Sequence, residues 1–516
     1  MSAPAAPLPR AESADVALLL EGTYPYIAGG VSSWVHQIIR GFPELRFAVV
    51  FLGSRPEDYG PIRYELPPNL VHVETHYLFE PDEPPTQRTV RTDPAAFAAV
   101  RRLHQQWQAA DDEPAGGDAQ ARFGAVVDRF GDALGEAHFL RGDQAWQYVC
   151  EQYEARCTDP SFVDYFWTVR TMHMPLWKLQ RIAEGLPAVR AFHSVSTGYA
   201  GLLGAMCKRR HGRPLLLSEH GIYTKERKID LFSARWIADN RSVLQRDLTE
   251  LSYFRQLWIR FFQGIGRACY DTADPVIALY ETNRRRQVAD GAADERTMTI
   301  PNGIPVERFA PLRDQRPADV PPVACLIGRV VPIKDIKTFI RAMHGVVQRL
   351  PGAEGWIAGP ENEDPAYAQE CRRLIDSLGL GERVRFLGFQ ELTALLPRIG
   401  VVVLSSISEA LPLVLLEGFA AGVPAVSTDV GSCRQLIEGL GDEDAALGAA
   451  GRVVGLADPQ ALADATVELL ADAEAWQHAS RAGIARVERY YSLELMLGRY
   501  RAVYERALTW QASVSS

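Results

Sequence analysis

Several features are scarce or missing in this chain of 516 residues, and each absence removes a class of function. No apolar run reaches the ~20 residues that cross a bilayer. The opening stretch MSAPAAPLPRAESADVALLLEG has one short apolar run and lacks the charged start and cleavage site of a signal peptide, which predicts a cytoplasmic protein. The seven cysteines, at positions 150, 157, 207, 269, 325, 371 and 433, form no CxxC pair and no metal-ligand spacing. Reduced, buried thiols are therefore expected. There is no Walker P-loop, no glycine fingerprint for a dinucleotide and no repeat of 20 to 50 residues. A formal charge of -9 argues against a general nucleic-acid binder, because neutralising phosphates takes clustered Lys and Arg.

What is present is an ordinary globular composition, 47% hydrophobic and 23% charged, in a chain long enough for two domains. The continuous apolar runs DVALLLEG and RFAVVFLG read as buried parallel strands, joined through a glycine turn and a helix starting at Ser32 or Ser33. From about 80 to 190 the pattern turns helical and aromatic, with PDEPPTQ and DDEPAGGDAQ as loops, which predicts an insertion. Strand signals resume at AVRAFHSV and RPLLLSEHG, a helical stretch is expected from Ser233 to Ala268, and PVIALY and TMTIPNG follow.

A Pro- and charge-rich linker near 311–321 sets the expected domain boundary. The first α/β domain is placed at 14–315 and the second at 316–490, with 491–516 a helix returning to the first. In the second, VACLIGRV, GWIAG, RVRFLG, VVVLSS and VPAVST read as strands. DIKTFIRAMHGVVQRL reads as a helix with Ile336, Phe339, Ile340, Met343, Val346, Val347 and Leu350 on one face.

Open α/β sheets bind ligands outside the carboxyl ends of their strands, so the residues at those ends matter most. VACLIGRVVPIKD ends a strand and then presents Arg329 and Lys334 at a helix start, two cations suited to a diphosphate. Gly29 and Gly30 would let backbone approach an anion at another helix start, or would simply form a tight turn. In SISEALPLVLLEGFAAG, Glu409 sits in a loop and Glu417 in a helix beginning near Pro412. Glu409 could accept hydrogen bonds from sugar hydroxyls or cap the helix, and Glu417 could hold the hydroxyls of a ribose or face solvent. NED (362–364) and GDED (441–444) read as loops.

These motifs resemble the retaining GT-B glycosyltransferases of family 4. The resemblance rests on SEALPLVLLE, GRVVPIKD, IPNGIPVERF and AGGVSSWVHQ occurring in that order, and it covers most of the chain outside the insertion. In finer detail, HSVSTGYAGLLGA, SEHGIYTKERKIDL and GPENEDPAY are similar to the PelF-type enzymes of Pel exopolysaccharide assembly. The resemblance implies two Rossmann-like domains facing across a cleft and a UDP-sugar donor. Arg329 and Lys334 would bind the diphosphate with Gly29 and Gly30, and Glu417 would hold the ribose. Glu409 would contact the sugar, while Gly388, Phe389 and Leu413 would line the nucleotide pocket. The family shows Gly followed by Phe or Leu after the first glutamate, whereas Ala410 and Leu411 stand here.

His193 and His220 are both candidates for a histidine lining the donor–acceptor cleft, with His220 preferred. The implied chemistry is retaining, with no metal and no cofactor beyond the UDP-sugar substrate. The expected acceptor is a growing polysaccharide. Membrane-embedded Pel assembly proteins are implied partners, which would hold the enzyme peripherally at the inner membrane. An epimerase or hydrolase acting on a UDP-sugar, and a non-catalytic nucleotide-sugar-binding subunit, are the competing readings. The aromatic helix ELSYFRQLWIRFFQGIGRACY would either pack in the core or lie on a membrane.

Overall fold

The computed structural model describes residues 8–80, 90–109, 135–234, 236–241 and 251–509. The chain divides into two units, the first running to Thr299 and resuming at Arg501, the second spanning Ile300–Tyr500.

Unit one is built on a seven-stranded parallel sheet in the order β3-β2-β1-β4-β5-β6-β7. Its strands are β1 (Val16–Glu21), β2 (Phe47–Gly53), β3 (Leu70–Tyr77), β4 (Ala191–Ser194), β5 (Leu215–Glu219), β6 (Val276–Ala278) and β7 (Thr297–Thr299). The central strand β1 pairs with both β2 and β4, Leu18 lying beside Val49 on one side and His193 on the other. Val16 to Leu20 have no solvent exposure, as a strand covered on both faces requires. The helices of the insertion, Pro94–Ala109, Glu136–Arg141, Asp143–Arg156 and Phe162–Gly185, lie between β3 and β4 in sequence. They join the same core through Phe97, Phe139, Tyr148, Tyr165, Met172 and Trp177. The expected loops PDEPPTQ and DDEPAGGDAQ lie outside the described residues.

Two readings of unit one change and one open alternative is answered. The first helix runs Gly30–Gly41 with Gly29 as its N-terminal flanking residue, and Ser32, expected to start it, is buried in its first turn. Instead of one helix from Ser233 to Ala268, the described residues show helices Tyr223–Ser233 and Tyr253–Thr272. Phe254, Trp258, Phe261 and Phe262 of the latter are buried, which answers the core-or-membrane alternative in favour of the core.

Unit two carries a six-stranded parallel sheet ordered β10-β9-β8-β11-β12-β13. The strands are β8 (Val323–Ile327), β9 (Glu354–Ala358), β10 (Val384–Gly388), β11 (Val401–Leu404), β12 (Ala425–Thr428) and β13 (Gly451–Val454). Helix Ile336–Arg349 covers one face with Ile336, Phe339, Ile340, Met343 and Val346 buried, while Val347 and Leu350 of the expected apolar face pack against that core part-exposed. GDED forms the short helix Gly441–Ala445 rather than a loop, because Asp444 is drawn inward by Arg486. That guanidinium is fully buried and also donates to the carbonyls of Ile437, Asp444 and Gly448.

Residues 300–315, expected in the first domain, pack with unit two. Ile304 exchanges backbone hydrogen bonds with Tyr491 and Leu493. Arg313 donates to the Ala420 carbonyl and pairs with Glu488. The last helix, Leu493–Thr509, ends in unit one, where the Tyr504 ring lies 5.3 Å from Phe42 and 5.6 Å from His193. Among the described residues the cysteines are unpaired, and five of the seven are buried. No described helix is long and apolar enough to cross a membrane.

Candidate functional site

In unit two the strand order reverses between β8 and β11, and the carboxyl ends of strands at such a reversal are where open α/β sheets bind their ligands. The loops that follow them carry Lys334 and Glu409. After β8 the chain makes a single tight helical turn, Pro332–Lys334, and Asp335 takes a left-handed conformation (φ 44°) to start helix Ile336–Arg349. Ser405, just past β11, donates to the carbonyls of Lys334 and Asp335 at 2.9 and 3.0 Å. The Ile407 amide donates to the Ile333 carbonyl, and Thr428 at the end of β12 donates to the Ser406 carbonyl. The post-β8 and post-β11 loops are thus bonded to each other before any ligand is considered.

Lys334 Nζ donates to Glu409 Oε1 at 2.5 Å, and Ser406 Oγ donates to the same oxygen at 2.6 Å. Gly431 holds the Glu409 loop at close quarters. It adopts φ +56°, and a Cβ there would sit 2.2 Å from the Glu409 carbonyl oxygen, so only glycine fits. Arg329 points elsewhere: its Nη1 donates to both carboxylate oxygens of Glu363, in the loop after β9, at 2.6 and 2.8 Å.

Glu417 and Leu413 lie on helix Leu413–Ala420, which starts directly after Pro412. Neither an ion pair nor a hydrogen bond joins the Glu417 carboxylate to the described residues. Burial pushes its pKa up to about 7, with the Arg308 guanidinium pulling it down by less. Arg308 comes from the short helix Val306–Phe309, which packs on Leu413–Ala420, and it also approaches Glu391 at 3.7 Å. Gly388 closes β10 in a left-handed conformation (φ 63°), and Phe389 beside it is 73% exposed. A large ring so exposed is open to stacking on a planar ligand.

The unit-one candidates gather at the ends of β4 and β5. His193 uses both ring nitrogens, 2.8 Å from Tyr504 Oη and 2.8 Å from Ser218 Oγ. His220 packs edge-on against Trp34, ring centres 4.6 Å apart, and its buried Nε2 has no hydrogen-bond partner among the described residues. Burial lowers the pKa of each to about 3, with His220 adding to the effect on His193, so both rings are neutral near pH 7. His220 is therefore the one whose ring keeps an unpartnered, though buried, nitrogen. Its neighbour Glu219 is buried and its pKa is raised by burial, although it accepts from Tyr270, Gln287, Thr197 and the Tyr223 amide. Those bonds fix the end of β5. Gly29 and Gly30 open helix Gly30–Gly41 with no side chain capping its first turn, leaving amide groups directed outward as an anion site needs.

Ser406, Glu363 and Arg308 were not singled out from the sequence. Ser406 stands three residues before Glu409 in SSISE, a spacing that could have suggested the contact. Glu363 lies in NED, which is indeed a loop, and nothing local signals its partner 34 residues away.

A family model described as a domain of unknown function (DUF3492) matches residues 14–295. This chain belongs to the DUF3492 family. A second model, glycosyl transferases group 1, matches residues 321–472, the segment that holds Arg329, Lys334, Glu409 and Glu417 but not Arg308. Among curated relatives, the exopolysaccharide phosphotransferase of Streptomyces coelicolor is 34% identical over 202 residues, 39% of this chain and 20% of that protein. The lipopolysaccharide core biosynthesis glycosyltransferase LpsE of Rhizobium meliloti is 41% identical over 113 residues, 22% of this chain and 31% of its own. The mannosyltransferase LpsB of the same organism is 28% identical over 239 residues, covering 43% and 66%. The DUF3492 chain thus spans less than two thirds of the length of each of these relatives.

Among solved structures, Anabaena HepE in complex with UDP and glucose superposes with a TM-score of 0.57 at 15% identity, covering 95% of this chain and 99% of that one. Sucrose-phosphate synthase from Thermosynechococcus elongatus gives 0.55 at 19% identity, covering 95% and 98%. The parallel sheets of seven and six strands are those of the GT-B fold.

Proposed function

We propose that this DUF3492 protein is a retaining glycosyltransferase that moves a sugar from a UDP-sugar to a growing exopolysaccharide, Pel being the favoured polymer. The observation that carries the reading is the meeting of Lys334, Glu409 and Ser406 at the β8/β11 reversal, within a group 1 glycosyl transferase domain. A donor's diphosphate would take its charge compensation from Lys334 and Arg329, while the uncapped helix start at Gly29 and Gly30 of unit one is proposed as an anion-binding turn in its own right. The ribose hydroxyls would donate to Glu417, the base would stack on Phe389 beside Gly388, and Leu413 would contribute apolar lining. Glu409, already oriented by Lys334 and Ser406, would accept from the sugar hydroxyls.

Bond cleavage puts charge on the leaving diphosphate, and aimed cations stabilise it most where water is excluded. The departing phosphate oxygen would accept the acceptor's proton on the face from which UDP leaves, which retains the anomeric configuration. His220, neutral and with Nε2 unpartnered, is proposed to contact the acceptor. Residues of the chain supply this charge stabilisation, so no metal is invoked. Solved neighbours support the donor class, HepE having been determined with UDP and with UDP-glucose. The Pel assignment, and a peripheral place beside membrane-embedded assembly proteins, rest on the sequence motifs.

The test is product analysis with labelled UDP-glucose and UDP-N-acetylhexosamines, each with and without an oligosaccharide acceptor. Acceptor-dependent UDP release with a retained anomeric centre is expected. Release that ignores the acceptor points to a hydrolase, a changed sugar still joined to UDP points to an epimerase, and binding without turnover points to a non-catalytic subunit.

A further inference from the structure

Both cations assigned to the diphosphate are already occupied by carboxylates of the chain itself, but the two pairs differ. Lys334 and Glu409 are 19% and 14% exposed and share a third partner in Ser406. Arg329 and Glu363 are 56% and 49% exposed and are held to each other alone among the described residues. The first pair is part of the site's framework, whereas the second is built to exchange with solvent ions.

The loop carrying Glu363 is positioned with some care. Its backbone lies against the Arg329 turn: the Gly328 amide donates to Ala358 and the Val330 amide to Pro360. A Cβ on Gly359 would sit 1.9 Å from the Gly328 oxygen. Three acids follow, each with its own task. Glu361 pairs with Arg372, and Asp364 accepts from the Tyr367 amide to cap helix Pro365–Ser377. Glu363 is the one directed at Arg329.

We propose that Glu363 is a counter-ion gate on the donor site. It holds Arg329 until a nucleoside diphosphate displaces it, and it retakes the guanidinium as that product leaves. Glu363 is a positioning residue, acting through Arg329 rather than on the donor. The inference rests on Arg329 being a diphosphate contact, as read above.

The test titrates the full chain calorimetrically with UDP and, separately, with uridine, which has no diphosphate. Wild type, Glu363→Gln and Glu363→Asp are compared at about 0.02 M and about 1 M salt, where screening differs strongly. Glu363→Gln should bind UDP about five-fold tighter at low salt, the scale of an exposed ion pair, and the gain should vanish at high salt. Uridine affinity should be unchanged in both variants, and Glu363→Asp should stay near wild type for UDP. A merely structural loop would shift uridine and UDP together, which overturns the gate. Wild-type UDP binding that Glu363→Gln leaves equal or weakens overturns the gate alone. A wild type that binds neither ligand overturns the donor-site reading and the gate with it.

Discussion

The ionisation of Glu417 offers a direct handle on the proposed nucleotide site. Burial holds its pKa near 7, and no ion pair among the described residues offsets it, so the carboxyl is about one tenth ionised at pH 6 and about nine tenths at pH 8. In the proposed donor site, ribose hydroxyls would donate to the ionised form. Uridine affinity should therefore rise about ten-fold from pH 6 to pH 8 and level off above. Uridine is the right probe because the second ionisation of a phosphate, near pH 6, would overlap the same window. The Glu417→Gln variant should bind more weakly and lose the pH dependence.

Stability runs the other way. The folded-state pKa lies above the ordinary value of 4.5, so ionising Glu417 costs stability that accumulates between about pH 4.5 and 7 and is constant beyond. The shift corresponds to at most about 3 kcal/mol. Wild type should accordingly lose Tm relative to Glu417→Gln across that interval. Uridine affinity that is flat or falls from pH 6 to 8, or a Gln variant that keeps the rise, refutes the assignment.

Three further outcomes follow from the geometry. Lys334→Ala should lower turnover by about two to three orders of magnitude, the scale of an aimed donor in a preorganised site, while leaving the folded core intact by circular dichroism. Gly431→Ala should weaken donor binding and stability together, because the left-handed backbone and the Glu409 carbonyl leave no room for a Cβ; denaturant titration and calorimetry check the two effects. Asp444→Ala leaves the fully buried Arg486 without its carboxylate and should cost about 3–5 kcal/mol in chemical denaturation, with donor affinity at permissive denaturant unchanged.

Strands at the centre of each sheet were readable because both faces are covered, giving the unbroken apolar runs of β1, β2, β8 and β11. Two edge strands escaped. β3 alternates polar and apolar residues, with Glu74 bonded to His72 and His76, and β13 is the four-residue GRVV, three of whose residues are part-exposed. An edge strand lacks a neighbour on one side, so its sequence need not be apolar throughout.

The site was legible where one segment carries its own chemistry, as in Glu409 and Glu417 eight positions apart around an apolar helix start. It was not legible where partners come from different strand ends. Lys334 meets Glu409 across 75 residues, and Arg329 turns to Glu363 rather than toward Lys334's carboxylate. Those pairings depend on strand order, which no local pattern encodes. His193 has both ring nitrogens hydrogen-bonded and His220 does not, a difference set by side chains from other segments that the sequence does not show.

The central claim, a UDP-sugar donor site in the group 1 domain, is tested most directly by calorimetric titration with UDP, UDP-glucose, UDP-N-acetylgalactosamine, UDP-N-acetylglucosamine and GDP-mannose. Wild type should bind UDP and one of the UDP-sugars, both lost in Glu417→Ala, and should not bind GDP-mannose. Preference for GDP-mannose, or no binding of any of the five by folded protein, would contradict it.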